Sequence, residues 1–170
     1  AAANVRPEAL RIELLAYSER PELPDLAAVV QAQLGEIGIP VTIRLAAFAA
    51  MEPAIMAGDF QALLLSRNHL TDVADPGAFL TSDYSCKGSF NISHFCRDGI
   101  DAKVQEAVGT ADAGRRFALY AEVAAELQQD AVSVFLVREQ QRDAVSNRVQ
   151  GYRTHPFNHY IITRDLAPAR

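Results

Sequence analysis

The chain has 170 residues, 49% of them hydrophobic, enough to bury one sizeable core, so a single domain over 1–170 is expected. A net charge of -5 with no basic cluster argues against a nucleic-acid surface. Two cysteines exclude a four-cysteine metal site, and no apolar run approaches the roughly 20 residues that span a bilayer, so no transmembrane segment is expected. No signal-peptide pattern precedes Ala1, and residues 1–9 read as a cut end or the remnant of a connection to another lobe.

In chain order, 10–17 (LRIELLAY) is a strand whose apolar run suits burial on both faces. Residues 18–24 (SERPELP) break it. Pro24 suits the first turn of a helix and Asp25 its positive end, and Leu26, Val29, Val30, Leu34 and Ile37 then recur at helical spacing up to Gly38. In 39–45 (IPVTIRL), Val41, Ile43 and Leu45 alternate with Thr42 and Arg44, which predicts a second strand. A short helix is expected over 50–57, with Pro53 in its first turn because an interior proline costs about 3 kcal/mol. Gly58-Asp59 stops it, and 60–66 supplies a third strand. The order β-α-β-α-β, with short connections and right-handed crossovers, implies a mostly parallel sheet with helices on its faces.

From the end of that strand to Cys96 neither a helical nor a strand period is visible, and an irregular stretch of that length is uncommon unless it binds something or is tied down. Beyond it, a helix is expected over 98–108 with Ile100, Val104, Ala107 and Val108 inward. A second follows with Asp112 as N-cap and Phe117, Tyr120, Ala124 and Leu127 as its apolar stripe. Residues 131–137 (AVSVFLV) read as an apolar strand, 143–146 as its hairpin partner and 160–163 as a last strand.

The chemistry concentrates after the third strand. Ser66, Arg67, Asn68, His69, Asp72 and Asp75 follow the carboxyl end of that strand, where ligands of open α/β sheets bind, and are the candidate ligand-binding residues. Carboxylates there suit a cationic amine, held by charge-assisted hydrogen bonds. Asp72 and Asp75 as a catalytic pair are set aside, since carboxylates beside Asp-Pro-Gly are far more often turn formers. No nucleophile elbow, Walker loop, dinucleotide fingerprint or H-E-x-x-H is present, so no catalytic residue and no enzyme activity is expected. Of the four histidines, His155 and His159 are separated by Pro156, which spoils the helical spacing a shared metal needs, so no metal and no cofactor is expected. A lone loop histidine such as His69 is most often solvated. From their spacing, Cys86 and Cys96 can be a small disulfide ring or two free thiols, and both states stay open.

One combination of features carries a resemblance. In order they are S-E-R-P-E-L-P after the first strand, a helix ending E-I-G-I, G-D-F before the third strand, S-R-N after it and D-P-G-A-F-L. There follow two cysteines flanking N-I-S, a helix pair, A-V-S-V-F-L-V and V-Q-G-Y. This resembles the carboxyl-terminal lobe of the family 5 solute-binding proteins, the dipeptide, oligopeptide and nickel receptors of bacterial ABC importers. The resemblance implies a three-layer lobe of the periplasmic-binding-protein type II fold, α/β, with a mixed, mostly parallel sheet and helices on both faces. It implies a lobe of a larger, two-lobed, extracytoplasmic protein, periplasmic or a cell-surface lipoprotein. The partners implied are a peptide or similar amphoteric solute, the amino-terminal lobe of the same receptor and a membrane permease. In the dipeptide-binding members a similar cysteine pair is bonded, which implies a Cys86–Cys96 disulfide, and an aspartate at the position of Asp72 holds the peptide amino group. This chain has Arg67 in place of the tryptophan usual after the strand.

Two alternatives accompany that expectation. A nickel or nickel-chelate receptor would use His69 as a metal contact. A stand-alone enzyme or interaction module could reuse the lobe fold, because fold does not fix function.

Overall fold

The structure, a computed structural model, describes residues 9–67, 75–138, 140, 142–154 and 162–169. Its centre is strand β1 (Ile12–Tyr17), paired in parallel with β2 (Val41–Ala46) on one side and β3 (Ala62–Leu63) on the other. Ile12 lies opposite Val41 and Tyr17 opposite Ala46, while Leu14 and Leu15 face Ala62 and Leu63. Leu14, Leu15, Ala16 and Tyr17 are all buried, so both faces of β1 are covered. The strand order explains why. The step from β1 to β2 and the return across β1 to β3 run in opposite directions, so right-handed crossovers put the two connecting helices on opposite faces.

Those helices are α1 (Glu22–Glu36) and α2 (Phe48–Ala57). Pro24 stands in the first turn of α1 as expected, and Gly38 follows at φ 82°. The buried contacts come from Leu23 and Ala27, with Leu26 and Val30 partly buried, whereas Val29 and Ile37 of the expected stripe are exposed. In α2 the first-turn placement of Pro53 is corrected: the helix starts at Phe48 and Pro53 lies inside it. The roughly 3 kcal/mol this costs is offset by Met51 and Ile55, both fully enclosed, each contributing about 1.5–3 kcal/mol. Gly58 closes α2 in the left-handed conformation, with the His94 ring against the position a β-carbon would occupy.

The third strand is shorter than the expected 60–66. Leu64 N–H still bonds the Leu15 carbonyl at 2.8 Å, but at Ser66 the Tyr17 phenol replaces a strand partner, accepting from Ser66 N–H at 3.0 Å and donating to its carbonyl at 3.2 Å. The next correction lies in the stretch expected to be irregular up to Cys96, which contains helix α3 (Gly77–Tyr84). Leu80 and Tyr84, four residues apart, make its buried stripe.

Helices α4 (Asp98–Gly109) and α5 (Ala113–Gln129) pack against α3 around a second core of Leu80, Tyr84, Ile100, Val104, Tyr120 and Val123. Asp112 caps α5 as expected, its Oδ1 accepting from Arg115 N–H at 2.7 Å. The stripe is rotated relative to the expectation: Val123 is buried, while Phe117, Ala124 and, on α4, Val108 are exposed.

The two later strands are corrections too. Residues 131–137 form no strand and have no ladder partner among the described residues; Val134 and Phe135 are 75% and 83% exposed. Residues 143–146 are not a hairpin partner, and of 160–163 only Ile162 and Thr163 are described, neither in a strand. The observed late pairing is β4 (Val149–Gln150) antiparallel to β5 (Ala167–Pro168). Gly151, at φ 76°, follows β4 with the Asp165 carbonyl packed directly on it, a position closed to any side chain.

Cys86 and Cys96 are disulfide bonded with Cα atoms 4.4 Å apart. Inside that ring the Asn91 amide donates to the carbonyls of Ser85 at 3.0 Å and Phe95 at 2.6 Å, holding both arms together. Ile92, at the ring's tip, is buried in the sheet core, whereas Leu80 and Tyr84, just before the ring, belong to the helical core. The ring therefore joins the two cores. Opening it frees a loop whose closure entropy corresponds to about 3 kcal/mol. Replacing both cysteines by serine is expected to lower the unfolding free energy by about 2–3 kcal/mol, read as a drop in the urea midpoint, and a reductant should then leave the variant's midpoint unchanged.

Candidate functional site

In a sheet ordered β2-β1-β3, the chain departs from β1 in one direction to reach β2 and in the other to reach β3. The crevice outside the carboxyl ends of β1 and β3 is therefore a topological switch point. Tyr17 ends β1 there, and Ser66 and Arg67 follow β3. The Tyr17 ring meets Phe48, the first residue of α2, edge to face at 5.4 Å, and Glu19 caps that helix by accepting from Phe48 N–H at 2.9 Å. The Ser66 N–H and carbonyl and the Phe48 N–H are thus already engaged within the lobe.

Arg67 is the most tightly oriented of these. Its Nε and Nη2 donate to the two oxygens of Asp83 at 2.6 and 2.8 Å, a bidentate pair. Its guanidinium lies 4.2 Å from the centre of the Phe90 ring, a cation–π contact. Asp83 is a charged residue on the buried face of α3, only 9% exposed, and Arg67 is its compensation. The hydrogen bond that Arg67 donates to Asp83 is the largest influence on its guanidinium and raises its pKa, so the cation is permanent.

Asp75 sits on the far side of the intervening loop as a hub. Its Oδ1 accepts from Gly77 N–H and from the Tyr120 hydroxyl, both at 2.8 Å, and its Oδ2 accepts from Arg116 Nε at 2.9 Å. The Gly77 amide, then Tyr120 and Arg116, hold this carboxyl below the usual carboxylate range. The Tyr120 phenol moves the other way, pushed up to about 12, first by burial and then by its bond to Asp75. Asp75 therefore anchors the start of α3 to α5.

Of the six expected ligand residues, the structure places Ser66 and Arg67 together at the crevice and Asp75 at the helical junction. Asn68, His69 and Asp72 lie outside the described residues. Tyr17, Glu19, Asp83 and Phe90 were not singled out from sequence. Asp83 had a readable signal: with Leu80 and Tyr84 it makes an i, i+3, i+4 set on one helical face, a carboxylate in a buried stripe that demands a cation. Among the described residues one cluster, Cys86, Cys96 and Asp98, brings three potential metal-ligand atoms together, but its sulfurs are bonded to each other and offer no thiolate.

Comparison with known proteins places this geometry in a class. No protein-family model matches the chain. It is 29% identical over 136 residues to the di/tripeptide-binding protein 2 of Pseudomonas aeruginosa, an alignment covering 78% of this chain and 25% of that protein. The solved nickel ABC transporter protein from Bacillus halodurans superposes with a TM-score of 0.70 and 26% identity, over 92% of this chain and 33% of that one. The oligopeptide-binding protein AppA of Bacillus subtilis, in complex with a nonapeptide, gives 0.77 at 21% identity over 95% and 32%, a likeness of fold. The chain has the α/β fold of a periplasmic-binding-protein type II lobe. Its resemblance to the family 5 solute-binding proteins is borne out, and it spans about a quarter to a third of the length of these relatives.

The Asp75 hub makes a pH prediction with two signs. Because the folded pKa of Asp75 is depressed, its contribution is present above the unfolded carboxylate value near 4 and lost as pH falls through the folded one. Because that of Tyr120 is raised, its contribution is complete below about 10 and lost as pH rises toward about 12. Asp75→Ala is expected to lose about 2 kcal/mol at neutral pH. It should also bring the slowest-titrating tyrosine, followed by tyrosinate absorbance, down from about 12 while leaving it above the ordinary value, since burial persists. A tyrosine titration unchanged by Asp75→Ala would contradict the hub.

Proposed function

We propose that the chain acts as one lobe of a solute receptor for an ABC importer, taking up peptides or similar amphoteric small molecules outside the cytoplasm. The observation that carries this reading is the set of polar side chains at the topological switch point of a lobe whose sequence relatives include a di/tripeptide-binding protein. Ser66 and Arg67 stand at its edge, Asn68, His69 and Asp72 follow them in sequence as the further proposed contacts, and Asp75 anchors the start of α3. Asp72 is the group proposed for the solute's amino terminus. The lobe works by binding alone, with no catalysis, in keeping with the binding and transport names of its relatives.

A disulfide favours an oxidising compartment, periplasm or cell surface, and no described helix is long and apolar enough to cross a membrane. Partner surfaces follow from what is exposed. Val134, Phe135, Leu136 and Val137 stand in solvent as an extended apolar run beside a cavity of about 400 Å³ lined by Phe79, Tyr84, Phe117 and Phe135. Such a patch suits the other lobe of the receptor, with the membrane permease as the assembly's further partner.

Nickel or a nickel chelate is the second reading, favoured by the likeness to the Bacillus halodurans protein, with His69 as metal contact. Calorimetry on the protein expressed from its complete natural reading frame separates the two. Saturable binding of dipeptides, at least roughly 100-fold weaker in residues 1–170 alone because half the contacts are missing, is expected. Nickel-histidine binding abolished by His69→Ala, with every dipeptide inert, would replace the peptide reading. Equal dipeptide affinity of the isolated chain and the whole protein would refute the two-lobe arrangement.

A further inference from the structure

We propose that Cys86, Cys96 and Asp98 form a redox-gated site for a thiophilic divalent cation such as zinc, shut while the sulfurs are bonded to each other and opened by their reduction. Both sulfurs and a carboxylate oxygen of Asp98 lie within 4.8 Å of one another. Each of the three is placed by contacts that do not depend on the disulfide. The Asp101 carboxylate accepts from Cys86 N–H at 3.0 and 3.2 Å, and the Asn91 amide holds the carbonyls of Ser85 and Phe95, the residues immediately before the two cysteines. Asp98 opens α4, which is seated in the helical core by the fully buried Ile100 two residues later. Breaking the S–S bond therefore leaves the ligand atoms as neighbours. Cys96 and Asp98 are exposed and Cys86 is half-buried, so a reductant and a cation can both reach the cluster.

The opening step is thiol–disulfide exchange with an external dithiol. One of its thiolates attacks the exposed Cys96 sulfur, Cys86 leaves as a thiolate, and the second thiol of the reductant then closes its own disulfide and releases Cys96. Two electrons and two protons pass to the protein, and the dithiol is oxidised to its disulfide. The reduced cluster offers two sulfur ligands and one carboxylate oxygen, a set that suits zinc, with water completing a tetrahedron. Binding forms two metal–sulfur bonds and expels the two thiol protons. At about 2.3 Å from each thiolate the ion needs sulfurs about 3.8 Å apart. The cysteine Cα atoms, 4.4 Å apart, allow that by rotation of the exposed Cys96 side chain. The amino-terminal end of α4, two residues further on, favours a thiolate at Cys96. Three anionic ligands so close repel one another until a doubly charged ion joins them, which makes the open cluster a cation site rather than a pair of free thiols. Because the ring joins the two cores, the ion also restores the cross-link that reduction removes.

The site stands apart from the receptor reading and is tested without any solute. The protein from its complete natural reading frame is reduced without oxygen by a phosphine, which holds the ion far less tightly than a dithiol does. It is then titrated with cadmium, which reports thiolate ligation by its ultraviolet charge-transfer band, and zinc is measured by competition. The Cys86→Ser, Cys96→Ser double variant supplies the background. Expected above that background are one ion per chain in the reduced protein, none in the oxidised one and two protons released per ion. Asp98→Asn is expected to lower the affinity at least roughly tenfold. Zinc should raise the urea midpoint of the reduced protein and leave that of the oxidised protein unchanged. Should reduction alone unfold the chain, zinc is expected to restore its native circular dichroism. A reduced protein with no band above background, or an unfolded one that zinc does not restore, overturns the site. An Asp98→Asn affinity equal to the native one overturns the three-ligand assignment.

Discussion

Arg67 and Asp83 tie the end of the sheet to the helix that opens the second core, and the lobe's organisation follows from that junction. The sheet has three strands, one of them two residues long, and its core is separate from the one formed by α3, α4 and α5. Two cores of this size need fixed connections to behave as one body. Among the described residues two are the bidentate Arg67–Asp83 pair and the Cys86–Cys96 ring that sends Ile92 into the sheet core, while the Asp75 hub stiffens the second core by fastening the start of α3 to α5. An ion pair on an open surface would add little, but Asp83 is enclosed. Removing Arg67 would strand a buried charge, a penalty of several kcal/mol.

The same junction positions the site. A crevice at a switch point exists in any sheet with this strand order, and its usefulness depends on side chains held still. Here the stillness has identifiable sources. Tyr17 substitutes for the missing strand partner of Ser66, Glu19 satisfies the first amide of α2, and Phe90 limits the tilt of the Arg67 plane. Arg67 and Asp75 are each held by charge-assisted hydrogen bonds, the first to Asp83 and the second to Arg116.

Local rules were legible in the sequence and tertiary substitutions were not. Gly58 ending α2, Asp112 capping α5 and the existence of the second strand depend on neighbours within a few residues and appear as read, although the strand's alternation stops at Leu45, which is exposed. The third strand was read too long because a phenol from β1, far away in sequence, takes over the hydrogen bonds of Ser66. Helix α3 was hidden because its buried face includes Asp83, a polar residue that breaks the apolar stripe. Residues 131–137 have the composition of a strand, but a strand also needs an edge to pair with, and composition carries no information about that partner. The fold class was readable because it depends on element order, which local signals preserve.

The candidate site illustrates a sharper version of the same point. Arg67 and Asp75 look alike in sequence, both ionised and both flanking the loop, yet the structure uses them differently. Asp75 has both oxygens engaged by Gly77, Tyr120 and Arg116, so its charge is committed to the fold. Arg67 commits Nε and Nη2 to Asp83, and among the described residues nothing accepts from Nη1. A guanidinium with one edge bound to a buried carboxylate and one face over an aromatic ring has its whole orientation fixed by the fold. Since the pair is neutral as a unit, its hold on the junction comes from bidentate geometry rather than from long-range attraction.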